Sequence, residues 1–309
     1  MALSRFGFIN ACKPVGISSA AFGNWVKRIT GSSAVGHWGT LDPNACGVLV
    51  LALDRATRLL PLMPHARKRY IFELIVGVRT DSADSSGVIL EQAAVPARWR
   101  EGLSDAVRSF VGTISQLPPM HSALKVGGRA LYRSAHAGMS VPRKAREVRI
   151  EELRVLDQAQ PTQGARPDDR ARLFVECAAG TYVRVLCEDL GRALGMPAHM
   201  GMLVRVGAGD FSLRDAVLPE ELARSAASAI IDPLHVLPLP RVALDLPSAR
   251  RFVFGNDVKV DARGVHADLA DGGELLLVHE RQLLGSGRFI AATGVVAPTR
   301  VLAYPAELA

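Results

Sequence analysis

At 309 residues, with 49% hydrophobic and 22% charged side chains, the chain has the length of roughly two domains. Its composition is that of a folded protein and excludes wholesale disorder, collagen-like repeats and coiled coils. Thirty-seven Lys and Arg against thirty Asp and Glu leave a net charge of +7, which suggests a polyanionic partner without identifying it.

In chain order, Phe6 to Ala11 reads as a short strand, and Lys13-Pro-Val-Gly-Ile-Ser-Ser supplies a turn and serine N-caps for a helix ending near Gly31. From Lys68 to Val78 the residues alternate, with Tyr70, Phe72, Leu74 and Val76 on one apolar face of a strand. Leu103, Ala106, Val107, Phe110 and Val111 recur at helical spacing, with Gly112 as the expected C-cap. Strands are expected over Val148 to Leu156 and Leu173 to Ala178, joined by a long polar hairpin loop, Gln158 to Asp169. Val183, Leu186, Cys187, Leu190, Ala193 and Leu194 form a helical stripe, with Thr181 as the expected cap. The proline-rich stretch Pro233 to Pro247 marks a boundary, and Phe252 to Ile290 reads as short strands of a small all-β module.

Cys12, Cys46, Cys177 and Cys187 lie far apart without a C-x-x-C pair, so neither a zinc site nor a disulfide framework is expected. No dinucleotide or nucleoside-triphosphate phosphate loop is found. The apolar runs are too short to span a bilayer, and the first residues lack the stretch of a secretory signal, so a cytoplasmic location is expected.

Two segments concentrate chemistry. In Gly36-His-Trp-Gly-Thr-Leu-Asp-Pro-Asn-Ala-Cys-Gly-Val-Leu, His37, Trp38 and Asp42 crowd among glycines in what reads as a loop before a buried strand, and Pro43 biases Asp42 away from helical backbone. An isolated Asp-Pro is more often a turn than a catalytic group. In Cys177-Ala-Ala-Gly-Thr-Tyr-Val-Arg-Val-Leu, Tyr182 and Arg184 stand at a strand-to-helix junction, where the arginine can fork onto a carboxylate. Tyr70 on its strand is a third candidate, with a core tyrosine as the plain alternative.

These pieces closely resemble the bacterial tRNA pseudouridine-55 synthase family, the TruB type. Lys13-Pro-Val-Gly is similar to its N-terminal segment, and Gly36-His-x-Gly-Thr-Leu-Asp-Pro to the stretch with its catalytic aspartate. Arg69-Tyr-Ile-Phe, Gly77-Val-Arg-Thr-Asp-Ser-Ala-Asp-Ser-Ser-Gly, Gln116-Leu-Pro-Pro-Met-His-Ser-Ala-Leu-Lys and Gly180-Thr-Tyr-Val-Arg follow in the family's order. The resemblance runs from about Cys12 to Phe211, and departs from the pattern at Trp38, Arg58 and Ala179. Phe254-Gly-Asn-Asp-Val and Leu283-Leu-Gly-Ser-Gly-Arg-Phe-Ile suit the small RNA-binding PUA module of many such enzymes.

The resemblance implies an α/β (α+β) pseudouridine-synthase fold with a mixed, largely antiparallel sheet. It implies a catalytic domain over 1–240, with an insertion at about 87–149, and a PUA-like β-barrel module over 241–309. It further implies a cofactor-free isomerase that acts on the T-loop uridine 55 of tRNA, as a monomer that binds the T-arm. Asp42 would be the catalytic carboxylate, by sugar attack, base addition or 2′ proton abstraction, with its pKa kept low by Arg184. Tyr70 would stack on the flipped base and assist proton removal, Tyr182 and Leu203 would wall the pocket, and His37 and Lys13 would bind substrate. Lys125, Arg129, Arg133, Arg143, Lys144 and Arg146 would meet T-arm phosphates. Trp38, at a departure from the family pattern, sits beside His37 and is expected to stack on a nucleotide or shield the pocket, with core packing as the plain alternative. A guide-RNA-dependent relative acting on ribosomal RNA and a non-catalytic RNA chaperone are the alternatives.

Overall fold

The computed structural model describes residues 6–64, 66–119, 141–156, 169–260 and 270–308, and the backbone alone of 125–126 and 129–130. Strand β1 (Gly7–Lys13) leads to helix α1 (Ser19–Thr30), whose first turn is capped by the Ser18 hydroxyl accepting from the Ala21 N–H and whose end is closed by Gly31. Both caps are those expected from the sequence. There follow β2 (Val35–Trp38), β3 (Ala45–Leu53), β4 (Lys68–Val76) and a small hairpin of β5 (Val78–Thr80) and β6 (Ile89–Gln92). Helix α2 (Leu103–Ser109) precedes β7 (Gly112–Gln116), the short pair β8 (Lys125–Val126) and β9 (Arg129–Ala130), β10 (Arg146–Val155) and β11 (Arg170–Cys177). Helix α3 (Val183–Ala193), β12 (Ala198–Ala208) and β13 (Phe211–Ser212) complete this part.

The main sheet has the order β1-β3-β12-β4-β11-β10-β7, with β2 on β3 and β13 on β12. Only the β12–β3 pairing is parallel, and the others are antiparallel, so the sheet is mixed and largely antiparallel, as expected. The alternation read in β4 is real: Tyr70, Phe72, Leu74 and Val76 are all buried in the core, together with Leu173, Val175, Leu186, Cys187 and Leu190. Strand β12 is long, and its insertion between β3 and β4 places Leu203 and Arg205 between the two segments that carry Asp42 and Tyr70.

The second sheet, β14 (Arg241–Ala243), β15 (Val258–Lys259), β16 (Glu274–His279), β17 (Gln282–Ile290) and β18 (Val295–Val301), has the order β14-β16-β17-β18-β15. Leu276, Leu283 and Leu302 of this part share one buried apolar cluster with Phe8, Val48 and Val50 of the main sheet. Arg55 adds a bidentate ion pair to Glu307 and donates to the Leu302 carbonyl.

Four local expectations are corrected. Gly112 is not a helix cap; α2 ends at Phe110, and Gly112 opens the next strand with φ of 108°. Thr181 does not cap α3; Tyr182 is the N-cap residue, and the Thr181 hydroxyl donates back to the Ala178 carbonyl. The C-terminal module is not all-β. Leu246–Val253 is a helix, capped by Asp245 accepting from the Ser248 N–H and burying Ala249, Phe252 and Val253; Asp245 and Pro247 are a helix start that reads equally well as a proline-rich boundary. His37 and Trp38 lie in β2 rather than a loop, opposite Leu51 and Val50. The Gln158 to Asp169 loop lies outside the described residues save for Asp169.

Candidate active site

The site is built on the turn between β2 and β3. Lys13, Gly16 and Ser19, all within or just after the Lys-Pro-x-Gly segment, hold that turn from below. The Lys13 ammonium donates to the carbonyls of Pro14 (2.7 Å), Ile17 (2.6 Å) and Pro43 (3.4 Å). The Gly16 N–H donates to the Pro43 carbonyl at 2.8 Å. The Ser19 hydroxyl donates to the Leu41 carbonyl and accepts from its N–H. Three carbonyl partners compensate the burial of the Lys13 charge, and burial lowers its pKa to about 8. Lys13 is fully inaccessible, so its expected substrate contact is corrected: it braces the loop that carries Asp42.

Asp42 projects from this turn into a cavity of about 250 Å³ lined also by Tyr70, Tyr182, Arg184 and Leu203. Five residues from four distant parts of the sequence therefore meet in one pocket. Helix α3 supplies Arg184 from its first turn, with the guanidinium Nε 3.0 Å from the Asp42 carboxylate, 3.9 Å from that of Asp84, and a further N–H on the Ser82 carbonyl at 3.1 Å. Arg184 and Asp84 are buried, with 5% and 7% of their side-chain surface accessible, whereas 38% of that of Asp42 faces the cavity.

The two carboxylates on this arginine are pushed in opposite directions. Burial raises the pKa of Asp42 above the usual carboxylate value; Arg184 pulls it down, Asp84 pushes it up, and desolvation prevails. The expectation that Arg184 keeps the Asp42 pKa low is corrected accordingly. Burial would raise Asp84 as well, but hydrogen bonds from Ser86 and Ser82 outweigh it and leave its pKa lowered. Two carboxylates facing one arginine are thus pushed apart in acidity, Asp42 above the ordinary carboxylate value and Asp84 below it.

Tyr70 lies on β4 with its phenol pKa raised by burial. His37 is not among the cavity-lining residues; its Nε2 lies 3.3 Å from the hydroxyl of Thr40, which does line it. Burial and the nearby Arg205 lower the His37 pKa. Sequence reasoning missed Lys68, Asp84 and Arg205. Lys68 lines the pocket, with its pKa lowered to about 8 by burial and by Arg205. Arg205 is fully buried, and its signal is a period-two one: it falls on the inward face of an alternating strand, where a charge needs partners.

Trp38 packs edge-on against Phe211, with ring centroids 6.4 Å apart, and is partly buried against the cluster containing Val48 and Val50. This is the packing alternative to an RNA contact. Trp38→Thr is expected to cost about 1–3 kcal/mol of stability and to lower the melting temperature with RNA affinity unchanged; the reverse pattern in melting and binding assays would restore the RNA contact.

Among the solved structures that share the fold are two complexes. A Cbf5–Nop10–Gar1 complex contains a chain 24% identical, with a TM-score of 0.70 over 98% of this chain and 87% of the other. A box H/ACA ribonucleoprotein bound to a substrate RNA containing 2′-deoxyuridine contains one 21% identical, with a TM-score of 0.68 over 97% and 86%. The likeness to both is one of fold, a mixed main sheet followed by a five-stranded second sheet.

The family description "TruB family pseudouridylate synthase (N terminal domain)" matches residues 27–183, and "tRNA pseudouridylate synthase B C-terminal domain" matches 184–237. Proteins named tRNA pseudouridine synthase B from Heliobacterium modesticaldum and Geobacillus thermodenitrificans are 39% and 37% identical, covering 92% and 94% of this chain and 90% and 97% of theirs. The chain belongs to the TruB family of pseudouridylate synthases.

Proposed function

We propose that this protein isomerises uridine 55 in the T-loop of tRNA to pseudouridine, with Asp42 as the catalytic carboxylate. The observation that carries the reading is the placement of Asp42 against buried Arg184, in a cavity walled by Tyr70, Tyr182 and Leu203. Its volume, about 250 Å³, lies below the ~300–1,000 Å³ of pockets for drug-sized ligands and suits a single flipped nucleotide. The names of the relatives at 37–39% identity supply the RNA class.

In this reaction the bond from ribose C1′ to base N1 breaks, the detached uracil rotates, and C1′ joins C5. The C5 proton leaves and N1 gains one, so no group is consumed. Asp42 acts on the nucleotide, Arg184 holds its carboxylate in place, and Tyr70 packs on the base and assists removal of the C5 proton. Extruding the nucleotide costs a few kcal/mol, recovered from phosphate contacts along the RNA. Residues 1–240 do the chemistry, and 241–309 extend the RNA contact as a PUA-like module.

Among the residues expected to meet phosphates, Lys144 and Arg146 are exposed and Arg143 is partly buried, donating to the Pro118 carbonyl. Arg133 and the side chains of Lys125 and Arg129 lie outside the described residues. With a net charge of +7, tRNA affinity is expected to fall by 10-fold or more, roughly, between 50 and 200 mM salt, through counterion release. A flat response in a filter-binding titration would count against an electrostatic RNA interface.

The decisive assay incubates the purified protein with unmodified tRNA and maps pseudouridine by carbodiimide-blocked primer extension. A stop at the T-loop uridine is expected. A stop elsewhere would move the target, and none would favour a binding protein without catalysis.

A further inference from the structure

Arg205 is a fully buried cation beneath the turn that leads into Asp42. Its Nε donates to the Val48 carbonyl at 2.6 Å, and its two terminal nitrogens donate to the carbonyls of Thr40 (3.4 Å) and Gly39 (3.1 Å). Thr40 lines the cavity, and Gly39 and Thr40 are the residues that lead into Leu41 and Asp42. On β12, Arg205 stands directly across from Tyr70 of β4 on one side and from Gly47 of β3 on the other. Gly47 has φ of 100°, and a Cβ there would sit 2.3 Å from the Arg205 carbonyl oxygen, so only glycine lets the two strands close up and bring Arg205 under the turn.

We propose that Arg205 is a positioning residue, which fixes the Tyr70 phenol and the turn before Asp42 to one guanidinium and so sets the separation of the two groups across the pocket. This rests on the reading of Asp42 and Tyr70 as reacting groups. The physical reason is the donor-only character of a guanidinium. Tyr70 stands directly across from it in the strand register and lines the cavity, so a donor-only group behind the phenol favours a hydroxyl that offers its proton on the cavity side. The arginine also draws the Tyr70 pKa downward against the larger effect of burial. Arg205 has no accessible surface and does not line the cavity, so it acts through these two neighbours and not on the RNA. A lysine in its place brings one compact charge and cannot span three carbonyls in a plane.

The test uses the full-length protein with Arg205→Lys, Arg205→Met, Tyr70→Phe and the two double variants. Single-turnover pseudouridine formation is measured against pH, with tRNA affinity measured in parallel. Each Arg205 variant is expected to lose about 10²-fold in rate with affinity within threefold. Adding it to Tyr70→Phe is expected to cost clearly less than its full loss in the wild-type background, because the share that runs through the phenol is already gone and only the share through the Gly39–Thr40 turn remains. The acid limb of the profile, which belongs to Asp42 with its partners Arg184, Asp84 and Lys13, is expected to stay in place. Multiplying losses, a shifted acid limb, or a fall in affinity that accounts for the fall in rate would overturn the proposal.

Two readouts need no turnover. Hydrogen exchange at Leu41, whose N–H is held by Ser19, is expected to speed up at least 10-fold in Arg205→Lys. In protein labelled with 3-fluorotyrosine, the Tyr70 resonance is expected to titrate at higher pH in Arg205→Met. Unchanged exchange and titration overturn the proposal even if the wild-type protein makes no pseudouridine in tRNA, a result that by itself would defeat only the reading of the reaction. If Arg205→Met does not fold, Arg205→Lys decides through its rate, its pH profile and the exchange at Leu41.

Discussion

Asp42→Asn is expected to lower single-turnover pseudouridine formation by about 10⁴-fold or more while leaving tRNA affinity within threefold. The amide keeps the size of the carboxylate, and its one carbonyl oxygen can still accept from the Arg184 Nε, which lies 3.0 Å from the present carboxylate. What it loses is the negative charge and one of the two acceptor oxygens. Arg184 keeps a counter-charge in Asp84 at 3.9 Å, so the variant leaves no buried cation alone and the usual penalty for breaking a buried pair is avoided. The Asp42 pKa is raised by burial. Its ionised form is therefore penalised in the folded protein, and stability falls as pH rises from the unfolded carboxylate value through the raised one. Removing this carboxylate is expected to leave the melting temperature at neutral pH unchanged or slightly higher. Near-normal turnover in a folded Asp42→Asn protein would end the catalytic assignment.

Replacing Arg184 is expected to act through pH. Arg184 lowers the Asp42 pKa, and Asp84 raises it. Arg184→Lys should move the acid limb of the rate profile to higher pH, with a loss of about 10- to 100-fold at neutral pH that shrinks as pH rises, since a point charge cannot hold Asp42, Asp84 and the Ser82 carbonyl together. Arg184→Ala should move the limb further and cost about 3–5 kcal/mol of stability, because two carboxylates then share a site without their cation. Asp84→Asn should move the limb the other way, to lower pH, although it also loosens Arg184 from one side. The opposite signs are the diagnostic. Limbs that do not move would show that the Asp42 ionisation does not govern the rate, and Arg184 would then be a purely structural brace.

Much of this site is legible in the sequence because its parts are local signals. Ser18 and Gly31 mark the two ends of α1 by cap chemistry that depends on a few adjacent residues. The alternation from Lys68 to Val76 is a property of one strand, and the buried face is the one it names. The family resemblance points to Asp42, Tyr70, Tyr182, Arg184 and Leu203 as parts of one site, and all five line the cavity.

Other features depended on partners that a linear pattern does not contain. Lys13 looks like a cation for RNA until three carbonyls of folded turns close around its ammonium. Trp38 looks like a loop aromatic until β13 brings Phe211 against it. Whether Arg184 or burial governs the Asp42 pKa is a balance between one ion pair and the density of protein around the carboxylate, and only the packed structure supplies the second quantity. Arg205 is the sharpest case: its place on an inward strand face is a local pattern, but its meaning comes from the parallel pairing of β12 with β3 and the antiparallel pairing with β4. Residue identity and spacing determined the helix ends, the strand faces and the chemical repertoire of this protein, because those follow from neighbours along the chain. Tertiary structure alone decided which charges are buried, what satisfies them and which carboxylate is pushed up and which down, because hydrogen-bond partners and desolvation come from segments brought together by strand register.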